Sequence, residues 1–123
     1  MSLRNFLLSF LLLTSLALPS HAAELIMFER KGCHYCIEWK DDLGPIYPNT
    51  AEGKYAPLRM VDVGKGTPKD ISLARKVIYT PTFVLVENNA EIGRIEGYPG
   101  EDFFWGMLNM MLKAKTDFVD ASG

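Results

Sequence analysis

The sequence has few of the residues that build metal sites and disulfide frameworks. It contains two cysteines and two histidines among 123 residues, and no second cysteine pair accompanies Cys33 and Cys36. A structural zinc site needs four cysteine or histidine ligands, whereas this motif offers only the two cysteines and His34. The composition therefore argues against zinc and excludes a framework of several disulfides, and we expect no metal cofactor.

The sequence also has no organised excess of charge. Its 13 basic and 15 acidic residues give a formal net charge of −2, without a basic patch or a run of like charges. Proteins that bind nucleic acid carry such a patch to neutralise phosphates. We therefore expect no nucleic-acid partner.

Long apolar runs are absent beyond the N-terminus. Residues 1–22 place Arg4 before an apolar run that ends at Leu18, and small residues precede a cleavage site after Ala22. This pattern is typical of a secretory signal peptide, and the run is shorter than the about 20 residues of a membrane-spanning helix. We expect cleavage and export of residues 23–123 as one domain. An uncleaved N-terminal anchor is the alternative.

The spacing of the two cysteines favours chemistry over structure. A disulfide stabilises a fold mainly by closing a long loop of the unfolded chain, whereas a bridge from Cys33 to Cys36 encloses only two residues. Export places the pair in an oxidising compartment, where disulfides persist. The pair is therefore interpreted as redox-active, and an inert structural bridge is the alternative.

Apolar patterning predicts four strands. Alternating or continuous short apolar runs are typical of strands, and the predicted strands are residues 24–29, 58–63, 82–87 and 91–96. The last two are expected to form a hairpin through a tight turn at Asn88-Asn89.

Three helices are predicted around these strands. Apolar residues at helical spacing place the helices at residues 33–47, 68–77 and 103–115. Gly44-Pro45 should end or kink the first helix near Leu43, and Thr67-Pro68 is a helix-start signal for the second. Residues 48–57 are predicted to be loop. The order β-α-β-α-β-β-α predicts an α/β fold, with a four-stranded mixed sheet flanked by helices.

Three features together resemble the thioredoxin superfamily. Cys33-His34-Tyr35-Cys36 follows a strand and opens a helix, Thr80-Pro81 directly precedes another strand, and a hairpin and a helix end the chain. The resemblance covers essentially all of residues 23–123. Because Cys33 comes so early after residue 22, the N-terminal strand and helix of full-length thioredoxins are missing, which resembles the minimal version of the thioredoxin fold.

A narrower resemblance is to the small periplasmic thioredoxins of bacterial sulfur-oxidation systems. Three segments carry it: Met27-Phe28-Glu29, Ile46-Tyr47-Pro48 and the stretch from Glu96 to Phe103. It implies a periplasmic thiol–disulfide oxidoreductase that acts as a monomer and needs no cofactor beyond the Cys33–Cys36 disulfide. Its partners would be a protein disulfide or thiol substrate, such as a sulfur-carrier protein, and a membrane electron donor that re-reduces it. An oxidant of exported thiols and a non-catalytic adaptor are the alternatives.

The two cysteines are expected to have unequal roles. Cys33 would lie at the N-terminus of a helix, where free N–H groups and the helix dipole lower the pKa of a thiol. Lys31 and a charged His34 would add to this effect. Cys33 is therefore the predicted nucleophile, and Cys36, one turn further along, is the predicted resolving thiol.

The resemblance also assigns residues to a substrate groove. Pro81 resembles the cis-proline that faces the cysteine motif, and the Thr80 backbone beside it would pair with a substrate strand. Tyr35 and Tyr98 are expected to flank this groove, and His34 to lie at its edge. The sequence alone does not determine whether the Thr80-Pro81 bond is cis.

The motif departs from thioredoxins at two points. Thioredoxins usually carry a buried acid six positions before the first cysteine, and Met27 stands there, so Glu29, Glu38 or water would have to move the proton of the resolving thiol. His34-Tyr35 replaces the usual Gly-Pro, and a histidine there stabilises the thiolate and makes the disulfide more oxidising. The direction of electron flow is therefore open at this point.

Overall fold

Four strands form one mixed sheet in the computed structural model, which describes residues 23–120. The strands are β1 (Ala23–Glu29), β2 (Leu58–Asp62), β3 (Thr82–Glu87) and β4 (Ala90–Glu96). Their order across the sheet is β2-β1-β3-β4, with β1 parallel to β2 and antiparallel to β3, and β3 antiparallel to β4. The predicted four-stranded mixed sheet is confirmed. The predicted signal peptide, residues 1–22, lies outside the described residues.

The two central strands are buried on both faces, which explains their continuous apolar sequences. Along β1, Leu25 and Met27 belong to one cluster of core residues, while Ile26 and Phe28 belong to a second. The hairpin that joins β3 to β4 turns at Asn88 and Asn89, as predicted, and both residues have positive φ angles, 52° and 65°. Asparagine tolerates this backbone region better than most residues.

Helices cover the face of the sheet that carries Leu25 and Met27, called here the first face. They are α1 (His34–Asp42) and α3 (Glu101–Lys115). Trp39 of α1 is fully buried, and its ring lies 5.2 Å from that of Phe83 in β3 and 5.5 Å from that of Phe104 in α3. This aromatic contact fixes α1 against both the sheet and the last helix. No helix between residues 23 and 120 is long and apolar enough to cross a membrane.

The second face is covered by chain without regular structure, so the predicted helix over residues 68–77 is wrong. Ile71, Leu73 and Val77 pack against this face of the sheet. The Ser72 N–H donates to the Asn89 carbonyl at 2.8 Å, and the Ser72 carbonyl accepts from the Glu91 N–H at 2.9 Å. Bonds to the neighbouring hairpin therefore replace the internal bonds that a helix would make.

The connection after α1 differs in part from the predicted loop. The helix ends at Asp42 with Leu43 as C-cap, as expected, but residues 48–57 include a short helix, α2 (Ala51–Tyr55). Thr50 caps it, because its Oγ1 accepts from the Gly53 N–H at 2.9 Å. Gly53 lies so close to the Tyr47 carbonyl oxygen that a Cβ there would overlap it.

Two glycines in helices therefore predict opposite effects of alanine. Gly53→Ala is expected to lower the free energy of unfolding by roughly 1–3 kcal/mol, because overpacking against a backbone carbonyl forces the chain to shift. Gly106→Ala in α3 meets no atom within 4 Å and is expected to raise it by about 0.5–1 kcal/mol, since alanine favours helix. Urea denaturation of both variants measures this, and equal shifts would contradict the close packing around Gly53.

Candidate active site

A tight turn after β1 delivers the first cysteine to the start of a helix. Residues 30–32 form the turn, in which the Cys33 N–H donates to the Arg30 carbonyl at 3.1 Å. Gly32 has φ +79°, a backbone region that side chains disfavour. Cys33 is the N-cap of α1, and it forms a disulfide with Cys36 with a Cα–Cα distance of 5.2 Å.

The two sulfurs differ in their access to solvent. Cys36 is 1% exposed and belongs to the core, whereas Cys33 is partly buried and packs at the edge of that core. The Cys36 N–H donates to Cys33 Sγ at 3.2 Å. An N–H of the first helical turn, which has no carbonyl partner within the helix, therefore points at this sulfur. After reduction, the same N–H would stabilise a thiolate on Cys33.

The Thr80-Pro81 segment lies at the same end of the sheet as the cysteines. Phe28 near the end of β1 pairs with Thr82 at the start of β3, so the chain before Cys33 and the chain after Pro81 meet there. The Thr80-Pro81 bond is cis. The Pro81 carbonyl accepts from the Gly97 N–H at 2.7 Å, and the Thr82 hydroxyl donates to the Tyr79 carbonyl at 2.6 Å, which holds the segment on both sides.

Apolar side chains are exposed on both segments that frame the disulfide. On α1, Tyr35 is 54% and Ile37 50% exposed, and on the segment before Thr80, Ile78 is 66% and Tyr79 60% exposed. Tyr35 was expected at the groove from the sequence, whereas Ile37, Ile78 and Tyr79 were not. The position of Ile78-Tyr79 directly before Thr80-Pro81 was the signal that could have identified two of them.

Tyr98 has a different environment from the one expected. It is 3% exposed and part of the core, so the expectation that it flanks the groove is corrected. Its hydroxyl donates to Asp42 Oδ2 at 2.9 Å, and burial together with this bond raises the pKa of Tyr98 above its ordinary value. Tyr98 thereby ties the chain after β4 to the C-terminal end of α1, and its burial follows from ring contacts with Phe104.

His34 follows Cys33 in the chain, and its side chain faces the solvent. Its side chain is 82% exposed, and its Nε2 lies 3.6 Å from Glu38 Oε2, one turn further along α1. Its ring also contacts that of Tyr35, with the centroids 5.3 Å apart. A protonated His34 would therefore act on Cys33 through an exposed position that pairs with one carboxylate.

Met27 leaves the centre of β1 apolar, and a carboxylate lies further along the strand. Met27 is fully buried. Glu29 Oε2 lies 2.8 Å from Lys40 Nζ of α1, an ion pair without hydrogen-bond geometry. Both residues line a recess of about 380 Å³ that also includes Gly32 and Ile37. Glu29 thus lies beside the cysteine turn and lines this recess, although its Oε2 is buried.

A metal centre finds no ligand set in this part of the chain. Among residues 23–120, no group of three or more histidine, cysteine, aspartate or glutamate side chains is arranged to hold a metal ion. The Cys33–Cys36 disulfide is the redox group that these residues contain.

Comparison with protein-family models and with curated proteins found no match for the chain, whereas comparison with solved structures found thioredoxins. The periplasmic thioredoxin SoxS from Paracoccus pantotrophus, in its reduced form, is 47% identical, with a TM-score of 0.72. The alignment covers 74% of this chain and 96% of that one.

More distant thioredoxins share the fold alone. Deadhead from Drosophila melanogaster is 21% identical with a TM-score of 0.57, and the alignment covers 74% of this chain and 82% of that one. The Fasciola hepatica thioredoxin is 17% identical with a TM-score of 0.53, and the alignment covers 75% of this chain and 83% of that one. With the disulfide at the start of α1 and the identity to SoxS, these findings establish that the chain belongs to the thioredoxin family and is a thiol–disulfide oxidoreductase.

Proposed function

We propose that this protein is a periplasmic reductase of protein disulfides or oxidised cysteines, with Cys33 as nucleophile and Cys36 as resolving thiol. The observation that carries the proposal is the unequal burial of the two sulfurs, because only the partly exposed Cys33 offers a partner protein access. The hydrogen bond from the Cys36 N–H to Cys33 Sγ supports the same assignment.

The reaction starts from the reduced dithiol. The Cys33 thiolate attacks one sulfur of a substrate disulfide, the substrate S–S bond breaks, and the released sulfur takes up a proton. Cys36 then loses its proton and attacks Cys33 Sγ, which breaks the mixed disulfide and releases the second substrate thiol. Two electrons pass to the substrate, and Cys33–Cys36 becomes the disulfide present in the structure. A membrane dithiol donor would return the two electrons and two protons.

The groove around Cys33 suits an extended protein segment. The pairing of Phe28 with Thr82 supports a position of Thr80 at the same end of the sheet as the cysteine turn, where its backbone would pair with a substrate strand. Exposed Tyr35 and Ile37 on one side, and Ile78 and Tyr79 on the other, offer apolar contact. Such a surface favours a protein substrate over a small disulfide.

The compartment and the partner are proposed from the relative and the N-terminal sequence. The 47% identical SoxS is named a periplasmic thioredoxin, and residues 1–22 have the pattern of a signal peptide. We therefore propose export to the periplasm, where residues 23–123 act as a monomeric domain on a sulfur-carrier protein of a sulfur-oxidation system.

The reduction potential decides between this proposal and an oxidant of exported thiols. Thioredoxin has a potential of about −270 mV, whereas the oxidant DsbA has about −120 mV. We expect a value below about −180 mV from redox titration against glutathione. A value near that of DsbA would reverse the proposed direction of electron flow.

Cys36→Ser should trap the partner. Without the resolving thiol, the mixed disulfide at Cys33 persists. A covalent complex with the partner is therefore expected from the periplasm of the host, and dithiothreitol should separate its two proteins by reducing the disulfide. Cys33→Ser is the matched control and should trap nothing, since Cys36 is 1% exposed. Equal trapping by both variants would refute the assigned roles. If function in the host survives in Cys33→Ser, the protein is an adaptor.

The alkylation of Cys33 should depend on pH as that of an activated thiol does. In Cys36→Ser, iodoacetamide is expected to react with a midpoint below about 7.5, against about 8.5 for a free cysteine. His34→Ala should move this midpoint upward, because it removes a side chain that, when protonated, would stabilise a neighbouring thiolate. Glu38→Gln, which removes the partner of His34, should not raise it. A midpoint near 8.5 in Cys36→Ser would contradict thiolate stabilisation at the start of α1.

A further inference from the structure

A buried ion pair on β4 lies outside the mechanism described above. Glu91 and Arg94 have side chains that are each 4% exposed. Arg94 Nε donates to Glu91 Oε2 at 2.7 Å, and Arg94 Nη2 donates to Glu91 Oε1 at 2.6 Å. The contact is bidentate, the geometry in which arginine binds a carboxylate most strongly.

The pair also binds the backbone of the segment before Pro81. Arg94 Nη2 donates to the Arg75 carbonyl at 2.8 Å, and Nη1 lies 3.5 Å from the Lys76 carbonyl. Glu91 Oε1 accepts from the Ala74 N–H at 2.9 Å. Side chains of β4 thus bind three consecutive residues that have no helical or strand partners of their own.

These bonds are strong enough to keep the pair ionised. Burial alone would raise the pKa of Glu91, but hydrogen bonds from Arg94 and from the Ala74 N–H outweigh burial and hold that pKa below its ordinary value. A second ion pair joins the same segment to β4, since Arg75 Nη2 lies 2.9 Å from Oε1 of Glu96.

The bound segment leads directly into one wall of the groove. Ile78 and Tyr79 follow two and three residues after Lys76, are 66% and 60% exposed and belong to neither core cluster. On the far side, the Tyr79 carbonyl accepts from the Thr82 hydroxyl at 2.6 Å. The wall is therefore held at its two ends, by Arg94 and the packing of Val77 before it and by Thr82 after it.

The stability of the fold does not by itself explain an ion pair at this position. A buried pair loses hydration, and apolar residues of similar volume often stabilise a fold as well or better. Apolar residues would leave the backbone groups of residues 74–76 without these partners. Binding this backbone is what the pair adds.

Resting on the proposed function, we propose that Glu91 and Arg94 are positioning residues that hold Ile78 and Tyr79 in place, and so set the affinity for protein disulfides without acting on the sulfur chemistry.

The test follows single turnovers of the pre-reduced full-length protein with two disulfides, so KM is the half-saturating disulfide concentration and kcat is the limiting rate. Insulin is the protein disulfide, and 5,5′-dithiobis(2-nitrobenzoate) is the small one, which does not need the groove wall. The double variant Glu91→Leu/Arg94→Met removes both charges together, so that no unpaired charge stays buried. We expect its KM for insulin to rise roughly tenfold, since small misplacements at a binding site have effects of up to about 100-fold. Its kcat and its rate with the small disulfide should stay within about twofold.

Arg94→Lys is the second variant, and it covers the case in which the double variant does not fold. Lysine keeps the charge opposite Glu91 but lacks the planar fork that reaches the Arg75 and Lys76 carbonyls, so an intermediate rise of the insulin KM is expected. Arg59→Met is the matched control. Arg59 also forms a bidentate ion pair, with Asp70 at 2.8 and 2.9 Å, but it lies on β2, at the other edge of the sheet. It should leave both substrates unchanged.

A mutant cycle identifies the route of the effect. Tyr79→Ala should raise the insulin KM in the wild-type background but add little to Arg94→Lys, because both changes act on the same wall. Unchanged insulin KM in folded Arg94→Lys, equal losses with both disulfides, or a full additional effect of Tyr79→Ala would each overturn the positioning role. A wild-type protein that reduces neither disulfide would instead overturn the proposed function and this inference with it.

Discussion

The antiparallel register of β1 and β3 is the constraint on which the site depends. Phe28 opposite Thr82 places the end of β1 beside the start of β3, so the turn into Cys33 and the Thr80-Pro81 segment meet at one end of the sheet. A slip of one residue would turn every side chain of β1 to the opposite face. It would break both core clusters, because β1 contributes alternate residues to each. Core packing thus guarantees the meeting of two segments that are distant in sequence.

The two segments proposed to form the groove walls are stabilised by different combinations of interactions. The wall on α1 is held by apolar burial, since Trp39 is enclosed by Phe83 and Phe104. The segment before Ile78 and Tyr79 combines apolar packing through Val77 with hydrogen bonds from side chains and two ion pairs. Apolar packing is sensitive to small changes in the size of a single residue, but its strength does not depend on salt or pH. A wall held by directional bonds is more specific in position and more sensitive to loss of one donor.

Sequence reasoning succeeded where local patterns determine the structure. The strands, the Asn88-Asn89 turn and the end of α1 at Asp42 follow from periodicity and from Gly44-Pro45. It failed over residues 68–77, where Thr67-Pro68 signalled a helix but side chains of β4, about 20 residues later, bind the backbone instead. It also placed Tyr98 in the groove, because its hydrogen bond to Asp42 joins residues 56 positions apart. Both errors concern tertiary contacts, since bonds from β4 hold residues 74–76 and Tyr98 is packed against Phe104 as well as bonded to Asp42.

The apolar centre of β1 shifts the proton chemistry of Cys36 toward the solvent. Met27 faces the core between Met60 and Phe83, its partners in the sheet, so a carboxylate at this position would lose hydration without gaining a charged neighbour there. Glu29 lies two residues further along, beside Lys40 and in a recess that reaches the cysteine turn. Glu29 therefore has a basic neighbour, Lys40, at the edge of this recess. Cys36 is buried, so the proton that it releases in the proposed resolving step needs an acceptor other than residue 27, and Glu29, Glu38 and water are the candidates.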